Sequence, residues 1–394
     1  MKMLGKRIRQ ARLVAGLTLE ALAAKLNTHG FSITKQALSL YERERRTPGS
    51  KILLHLSKVL GVSPSFFLEE PEINIKWKAY RSFSKLSKSQ KESIEAHASS
   101  VVEPYIYLSQ TLIPESKPEF PETILVSCTE EAEDAAKRLR EYWSIGDIPI
   151  ESMTNLIEDK GGIVINYAKK DDQFDGLSGW VNENIPLICV KTDVPTDRHR
   201  FNVAHELGHL VMDSPNTPEK DVEKYANRFA GAFLVPDESA YREFGYKRSN
   251  ISWAELGMFK QKYGISMAAT LFRLGDLSIL TKSRLQGFWR EINWKGWRKK
   301  EPFELTGSEK PVRLKQLTLR ALSEGIIGEE RAAKICPDCL EEFKDEKSET
   351  DMEYSPKKLL KLPLEERNKI LLRAAEQARE DYSDETAIEL DIVE

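Results

Sequence analysis

Apolar side chains at the start of the chain recur with helical spacing: Leu4, Ile8, Ala11 and Ala15 make one stripe, which Gly16 closes. Thr18 stands in cap position before a second stripe of Leu19, Leu22, Ala23 and Leu26. Asn27, Thr28, His29 and Gly30 predict a turn. Thr34 then caps a short helix with Leu38 and Tyr41 facing inward, and Arg43 to Gly49 leads to a helix carrying Ile52, Leu53, Leu56, Val59 and Leu60. These packed short helices predict an all-α head over residues 1–68. Residues 69–123 break the pattern. They hold a basic, Ser-rich stretch from Lys76 to Lys91, helical spacing around Ser93 to Leu108, and a Pro-rich end at Pro114, Pro118 and Pro121. Together these predict a linker with a helical segment.

From residue 124 the period changes. A charged helix from Glu130 to Trp143 and a second from Met153 to Glu158 precede a Gly161-Gly162 turn and three strand-like runs, Ile163 to Tyr167, Leu177 to Val181 and Leu187 to Val190. Two long helical patterns follow, Thr196 to Met212 and Glu219 to Leu234, the second stopped by Pro236. Further helices are predicted at Trp253 to Tyr263, Met267 to Leu274, Lys282 to Trp297 and Val312 to Ser323. The expected architecture is an α+β domain at 124–300, a helical extension at 301–340 and an acidic amphipathic tail at 341–394. In the tail, an acidic run from Glu341 to Glu353 leads to a helix from Ser355 to Tyr382.

Composition narrows what such a chain can be. Its 394 residues suit two or three domains, and no apolar run approaches the roughly 18 residues of a membrane span. The basic N-terminus lacks a following apolar segment, so it is not a secretory signal and a cytoplasmic location is expected. Four cysteines are too few and too scattered for a disulfide framework. The net charge of −3 is a sum of unlike parts. Residues 1–62 hold twelve basic against three acidic side chains, a balance of +9, and residues 341–394 nine against seventeen, a balance of −8. That asymmetry points to nucleic acid at one end and a different partner at the other.

The chemistry concentrates at His205-Glu206-Leu207-Gly208-His209. Two histidines four apart on a helix differ by about 40° and about 6 Å, so both imidazoles reach one metal ion from the same face. Glu206 sits one residue round, placed to take a proton from a water polarised by the metal. Composition alone would produce the HExxH pattern only about 0.01 times in a chain of this length. A catalytic zinc needs a third protein ligand, and spacing leaves both Glu223 and Glu219 open on the next helix.

The residues around this pair resemble the ImmA/IrrE metallopeptidases. The likeness runs through Arg198-His-Arg200-Phe201-Asn-Val-Ala-His205-Glu-Leu-Gly-His209, then Glu223-x-x-Ala226-Asn227-x-Phe229-Ala230 and Leu234-Val-Pro236. It extends upstream to Ile148-Pro149-Ile150 and downstream to Tyr263-Gly-Ile-Ser266-Met267 and Arg320-Ala321-Leu-Ser-Glu324-Gly325. The resemblance implies a zincin-like fold, Zn²⁺ held by His205, His209 and Glu223, catalysis by Glu206, and a repressor-type protein as the endopeptidase substrate. Tyr225, Tyr246 and Arg228 are candidates to stabilise the developing charge, and spacing selects none of them.

The head, in turn, resembles the helix-turn-helix of the XRE/Cro repressor class, through Leu17-Thr18-Leu19-Glu20-Ala-Leu22-Ala23, Ile33-Thr34-Lys35-Gln36-Ala37-Leu38-Ser39-x-Tyr41-Glu42 and Arg45-Arg46-Thr47-Pro48. Lys35, Gln36 and Ser39 are then expected at base edges of a double-stranded operator, and Arg43, Arg45 and Arg46 at its phosphates. Two half-sites imply a homodimer. Two departures stand out: Asn27 to Phe31 lengthen the turn, and Leu19 replaces a polar phosphate contact common in the class.

The fold expected overall is multidomain, an all-α helix-turn-helix head with an α+β zincin-like domain and a helical C-terminal region. The leading function is a DNA-binding regulator that is also a zinc endopeptidase. The alternative is a non-proteolytic repressor, or the antitoxin of a toxin–antitoxin pair whose acidic tail holds the toxin. Cys336-Pro-Asp-Cys339 is a single CxxC without the second pair that a structural zinc would need, and Cys128 and Cys189 read as plain packing residues.

Overall fold

The computed structural model describes residues 4–68, 73–78, 86–168, 174–298, 300–305 and 307–339, with 363, 366–369 and 371–372 of the tail. They fall into two units, Met1–Ala321 and Leu322–Glu394. The rest of the tail, with its expected acidic run and most of its helix, lies outside the described residues.

Four helices build the head: α1 (Leu4–Val14), α2 (Leu19–Thr28), α3 (Lys35–Glu42) and α4 (Ser50–Leu60). Thr18 and Thr34 cap α2 and α3 as their positions predict, their side chains accepting from the amides of Ala21 and Ala37. Ile8, Leu22, Leu26, Leu38, Leu56 and Phe67 fill the core between the helices. At Gly5 a Cβ would lie 2.5 Å from the Tyr41 carbonyl oxygen, so only glycine lets α1 and α3 approach this closely. The lengthened turn is braced, because the Asn27 side-chain oxygen accepts from the Ile33 amide at 2.9 Å. Leu19 has a packing reason as well, since it lies half-buried against the head core.

The stretch expected to be a linker does more than connect. Strand β1 (Ile75–Trp77) adds to a sheet, and helix α5 (Lys88–Leu112) runs for 25 residues from a capping box between Ser87 and Gln90. Ile94, Ala98, Val102, Ile106 and Leu108 bury one side of α5, at roughly 1.5–3 kcal/mol for each large apolar side chain removed from water. The helix also carries α1: Arg7 Nη1 donates to Glu103 at 2.6 Å, and Arg9 pairs with Glu92. The polar side chains between these apolar positions, and Pro104 within the helix, shortened the stripe that the sequence displays.

The central sheet has the order β1-β4-β5-β3, built from β3 (Ile163–Tyr167), β4 (Gly176–Val181) and β5 (Ile185–Lys191) with β1. Strands β3 and β5 are parallel, while β4 runs antiparallel to both β5 and β1. The sheet of the middle domain therefore recruits a strand from before residue 124. A second pair, β2 (Ile124–Leu125) with β6 (Met212–Asp213), is also parallel. Helices α6 (Thr129–Tyr142), α7 (Met153–Asp159), α8 (Thr196–Val211) and α9 (Glu219–Leu234) pack with the sheet around one apolar core that includes Leu139, Ile157, Val203, Leu207, Phe229 and Phe233. They are followed by α10 (Asp237–Phe244), α11 (Trp253–Tyr263), α12 (Met267–Asp276), α13 (Lys282–Trp294) and α14 (Arg313–Ser323). Helix α13 stops three residues short of its expected end, where Gly296 adopts a φ of 69°.

Residues 300–313 tie these helices together through carboxylates at helix N-termini. Glu301 accepts from the amides of Met267 and Ala268, and Glu309 from those of Met153 and Thr154. In the second unit, α15 (Glu329–Ile335) precedes a disulfide between Cys336 and Cys339, so these two thiols pair with each other. Among the described residues no helix is long and apolar enough to cross a membrane.

Candidate metal centre and nucleic-acid interface

The helix that carries the two histidines is held at both ends and in rotation. Near its start, Asp197 pairs with the buried Lys260 at 2.5 Å. One turn on, the buried Arg200 donates to the carbonyls of Ile150, Glu151 and Gly264 and to Glu309 Oε1 at 2.5 Å. At its C-terminus, Lys78 Nζ donates to the His209 carbonyl at 2.5 Å and the Met212 carbonyl at 3.1 Å, a cation set against the negative end of the helix dipole. Burial lowers the pKa of Lys78, while Asp213 acts in the opposite sense.

Helix α9 can lie close enough to complete the site because position 208, between the histidines, is glycine. A Cβ there would come within 2.9 Å of the Phe229 ring. The close approach brings Glu223 to the pair: its carboxylate lies 3.5 Å from His205 Nε2 and 3.6 Å from His209 Nε2, and the two imidazole nitrogens are 3.1 Å apart. Among the described residues, this is the group of side chains able to hold a metal ion. Glu219, the rival by spacing, is an exposed residue at the first turn of α9. Asn227 Oδ1 lies 3.1 Å from His205 Nδ1, so a proton on Nδ1 leaves Nε2 free to face the cluster.

The site's charges are strongly displaced. Burial pushes the His209 pKa down to about 4, with the Glu223 carboxylate acting the other way. Burial also opposes the charge on Glu223, but the two neighbouring histidines outweigh it and hold this carboxyl well below the usual range. Glu206 is only 6% exposed, and burial raises it to about 7 despite the nearby His205 and a hydrogen bond from Ser178. That bond, Ser178 Oγ to Oε2, is 2.8 Å long. On its other side Glu206 faces Gly176, where a Cβ would lie 2.8 Å from Oε1. Strand β4 thus cradles the carboxylate.

Two of the three candidates for charge stabilisation are engaged elsewhere. Tyr225 donates its hydroxyl to the Ser127 carbonyl at 2.6 Å, and Arg228 pairs with Glu133 and Asp276. Tyr246 is 73% exposed and stacks on Tyr241. Sequence reasoning missed Ser178, Gly176, Asn227 and Lys78 as neighbours of the site. Only Asn227, inside the Ala226-Asn227 pair, carried a signal that could have found it.

On the head, Lys35, Gln36, Ser39 and Arg43 fall within about 100° of one another around α3 and its C-cap, a single outward face. Gln36, Arg43, Arg45 and Arg46 are exposed, and Lys35 pairs with Glu20 across the turn. Arg7, Arg9 and Arg12 instead pair with Glu103, Glu92 and Glu42, so part of the head's positive balance is structural.

Two families of known proteins match these regions: one described as helix-turn-helix over residues 8–67, and one described as an IrrE N-terminal-like domain, a peptidase family, over residues 158–275. The chain joins an XRE-type helix-turn-helix domain to an ImmA/IrrE-type domain. The chain is also similar to the HTH-type transcriptional regulator ImmR of Bacillus subtilis (strain 168), 41% identical over 73 residues, which is 18% of this chain and 54% of the relative. The chain thus spans about half the length of that curated relative. The IrrE-like match includes His205, Glu206, His209 and Glu223, whereas β1 and α5 lie outside both matches. The match over residues 8–67 places the head in the helix-turn-helix class.

Proposed function

We propose that the IrrE-like domain is a zinc-dependent endopeptidase that cleaves a repressor-type protein, and that the head places it on double-stranded DNA. The observation that carries this reading is the spacing of the three donors. Tetrahedral ligands about 2.0–2.1 Å from zinc are about 3.3 Å from one another, and the separations here are 3.1, 3.5 and 3.6 Å. Two imidazole nitrogens and a carboxylate oxygen also suit zinc chemically and leave one position for water or substrate. Zinc held there would polarise a scissile carbonyl and lower the pKa of water toward neutrality.

The remaining work falls to side chains of this chain. Ser178 fixes Oε2 of Glu206, which leaves Oε1 to accept a proton and return it to the departing amide nitrogen. Asn227 sets the His205 tautomer, and Arg200 fixes how α8 presents both imidazoles. Replacing Glu206 by Gln keeps the donors and removes the proton acceptor. The variant should retain about one zinc per chain while cleavage falls about 10²–10⁴-fold; cleavage at the wild-type rate overturns the mechanism. Lys35, Gln36 and Ser39 would read bases, with Arg43, Arg45 and Arg46 on phosphates, in a cytoplasmic homodimer spanning two half-sites.

A further inference from the structure

The position of Glu206 against β4 restricts where a peptide can lie. A carbonyl presented at once to the three donors and to Glu206 must run beside β4, because Glu206 touches Ser178 and faces Gly176. One edge of β4 is taken by β5, which leaves the other. That other edge is where β1 pairs, Ile75 opposite Val181, Lys76 opposite Trp180 and Trp77 opposite Gly179. The ladder extends at both ends: the Asn182 amide donates to the Asn74 carbonyl at 2.9 Å, and the Lys78 amide to the Ser178 carbonyl at 3.0 Å. β1 therefore reaches the very residue whose hydroxyl holds Glu206. The fit is close. A Cβ at Gly179 would lie 2.7 Å from the Lys76 carbonyl oxygen and 3.0 Å from the Trp77 Cα, so β4 is shaped for a backbone at this edge. Lys78 then anchors the segment to the carbonyl of His209, itself one of the three donors.

We propose that β1 is an internal occupant of the edge that an extended peptide substrate uses, so that residues 73–78 fill the subsites on one side of the scissile position and a substrate must displace them. The inference rests on the peptidase reading for the word substrate, but not for the strand exchange itself. An extended peptide adds to a sheet edge through main-chain hydrogen bonds and selects by alternate side chains. Ile75 and Trp77 are half-buried here while Lys76 is exposed, so the favoured class is an extended segment with a β-branched residue and an aromatic two apart. The occupant lies outside both family matches and between the two domains they define, so this device belongs to how this chain joins its domains.

The test measures binding on the full-length protein without added metal, by fluorescence anisotropy of a labelled peptide with the sequence of residues 73–78. Lys76 shares the phase of Asn74 and Lys78, whose main-chain groups bond to β4, so Lys76→Pro removes a ladder donor and should release the edge. This variant should bind the peptide at least about tenfold more tightly than the wild type. Ile75→Cys with Val181→Cys joins a directly opposed pair and locks β1 in place. Oxidised, this double variant should bind about tenfold more weakly than the wild type or not detectably, and reduction should restore wild-type affinity. Equal affinity in all forms overturns the proposal. If Lys76→Pro loses its folded circular dichroism signal, the oxidised and reduced double variant decides alone. Expected shifts in a chain that never cleaves a peptide would remove the peptidase reading and leave the occupancy standing, whereas zinc-dependent cleavage with unshifted binding would remove only the occupancy.

Discussion

Helices α3 and α8 both carry candidate functional side chains, and they do so in opposite ways. Helix α3 is short, capped by Thr34, anchored by Leu38 and Tyr41, and turns its candidate contacts toward solvent. Helix α8 is twice as long, most of its residues are buried, and its candidate groups meet α9 and β4 while Lys78 holds its C-terminal end. A surface that reads DNA needs a stable helix and the right side chains on one face. A reactive centre also needs every neighbour of each side chain to be fixed, because burial moves proton affinities and an unpaired buried charge is costly. The contrast predicts that changes around α8 reach stability or metal affinity, while changes on α3 reach only DNA.

The strongest attempt to break that contrast is Arg200→Ala. It leaves Glu309 buried without its cation and removes four hydrogen bonds, so unfolding free energy should fall by about 3–5 kcal/mol. A denaturation midpoint within error of wild type would show that α8 does not depend on this anchor. Asn227→Ala comes next. Removing the group that sets the His205 tautomer should weaken zinc binding about 10–100-fold in a chelator competition, with little change in fold.

Glu158 gives a pH-dependent version. Burial raises its carboxyl to about 7, against the amides of Val312 and Arg313, which favour the charged form. The folded chain thus holds a proton that the unfolded chain releases from about 4.5 upward. This contribution is intact below about pH 4.5 and is lost as pH rises to about 7. Glu158→Gln should flatten that loss, so that the variant gains on the order of 1–3 kcal/mol over wild type between pH 5 and pH 8 in urea titrations. The smallest effect belongs to the head. Arg43→Ala should change stability by less than about 0.5 kcal/mol, and it should lower the salt slope of operator binding by about one. A large stability loss there would erase the distinction between the two helices.

Sequence legibility followed the same division. The limits of α9 and α11, the strand at Ile163 to Tyr167 and the caps Thr18 and Thr34 are local, and each was readable from periodicity and capping chemistry. The histidine pair was readable because one helix turn brings its members together. Glu223 needed the family resemblance, since spacing could not tell it from Glu219. What stayed hidden depends on distant partners. β1 has only three residues, and the strand it pairs with lies about a hundred residues away. Arg200 meets Glu309 across 109 positions. Helix α10 was missed for a different reason: Pro236 was read as the end of α9, yet it is also the N-cap of the next helix.

The pairing of α1 with α5 has a consequence for geometry on the duplex. Arg7 and Gln10 both donate to Glu103 and so tie α1 to α5, whose His97 and Ser93 in turn meet Asn166 and Tyr167 of β3. A DNA site held by the head would therefore set the direction in which the sheet and its histidine helix project. B-DNA turns once in about 10.5 base pairs, so moving a binding site by half a turn would carry the histidine cluster to the opposite side of the double helix. Position along the DNA becomes an angle, and that angle decides which neighbouring proteins come within reach.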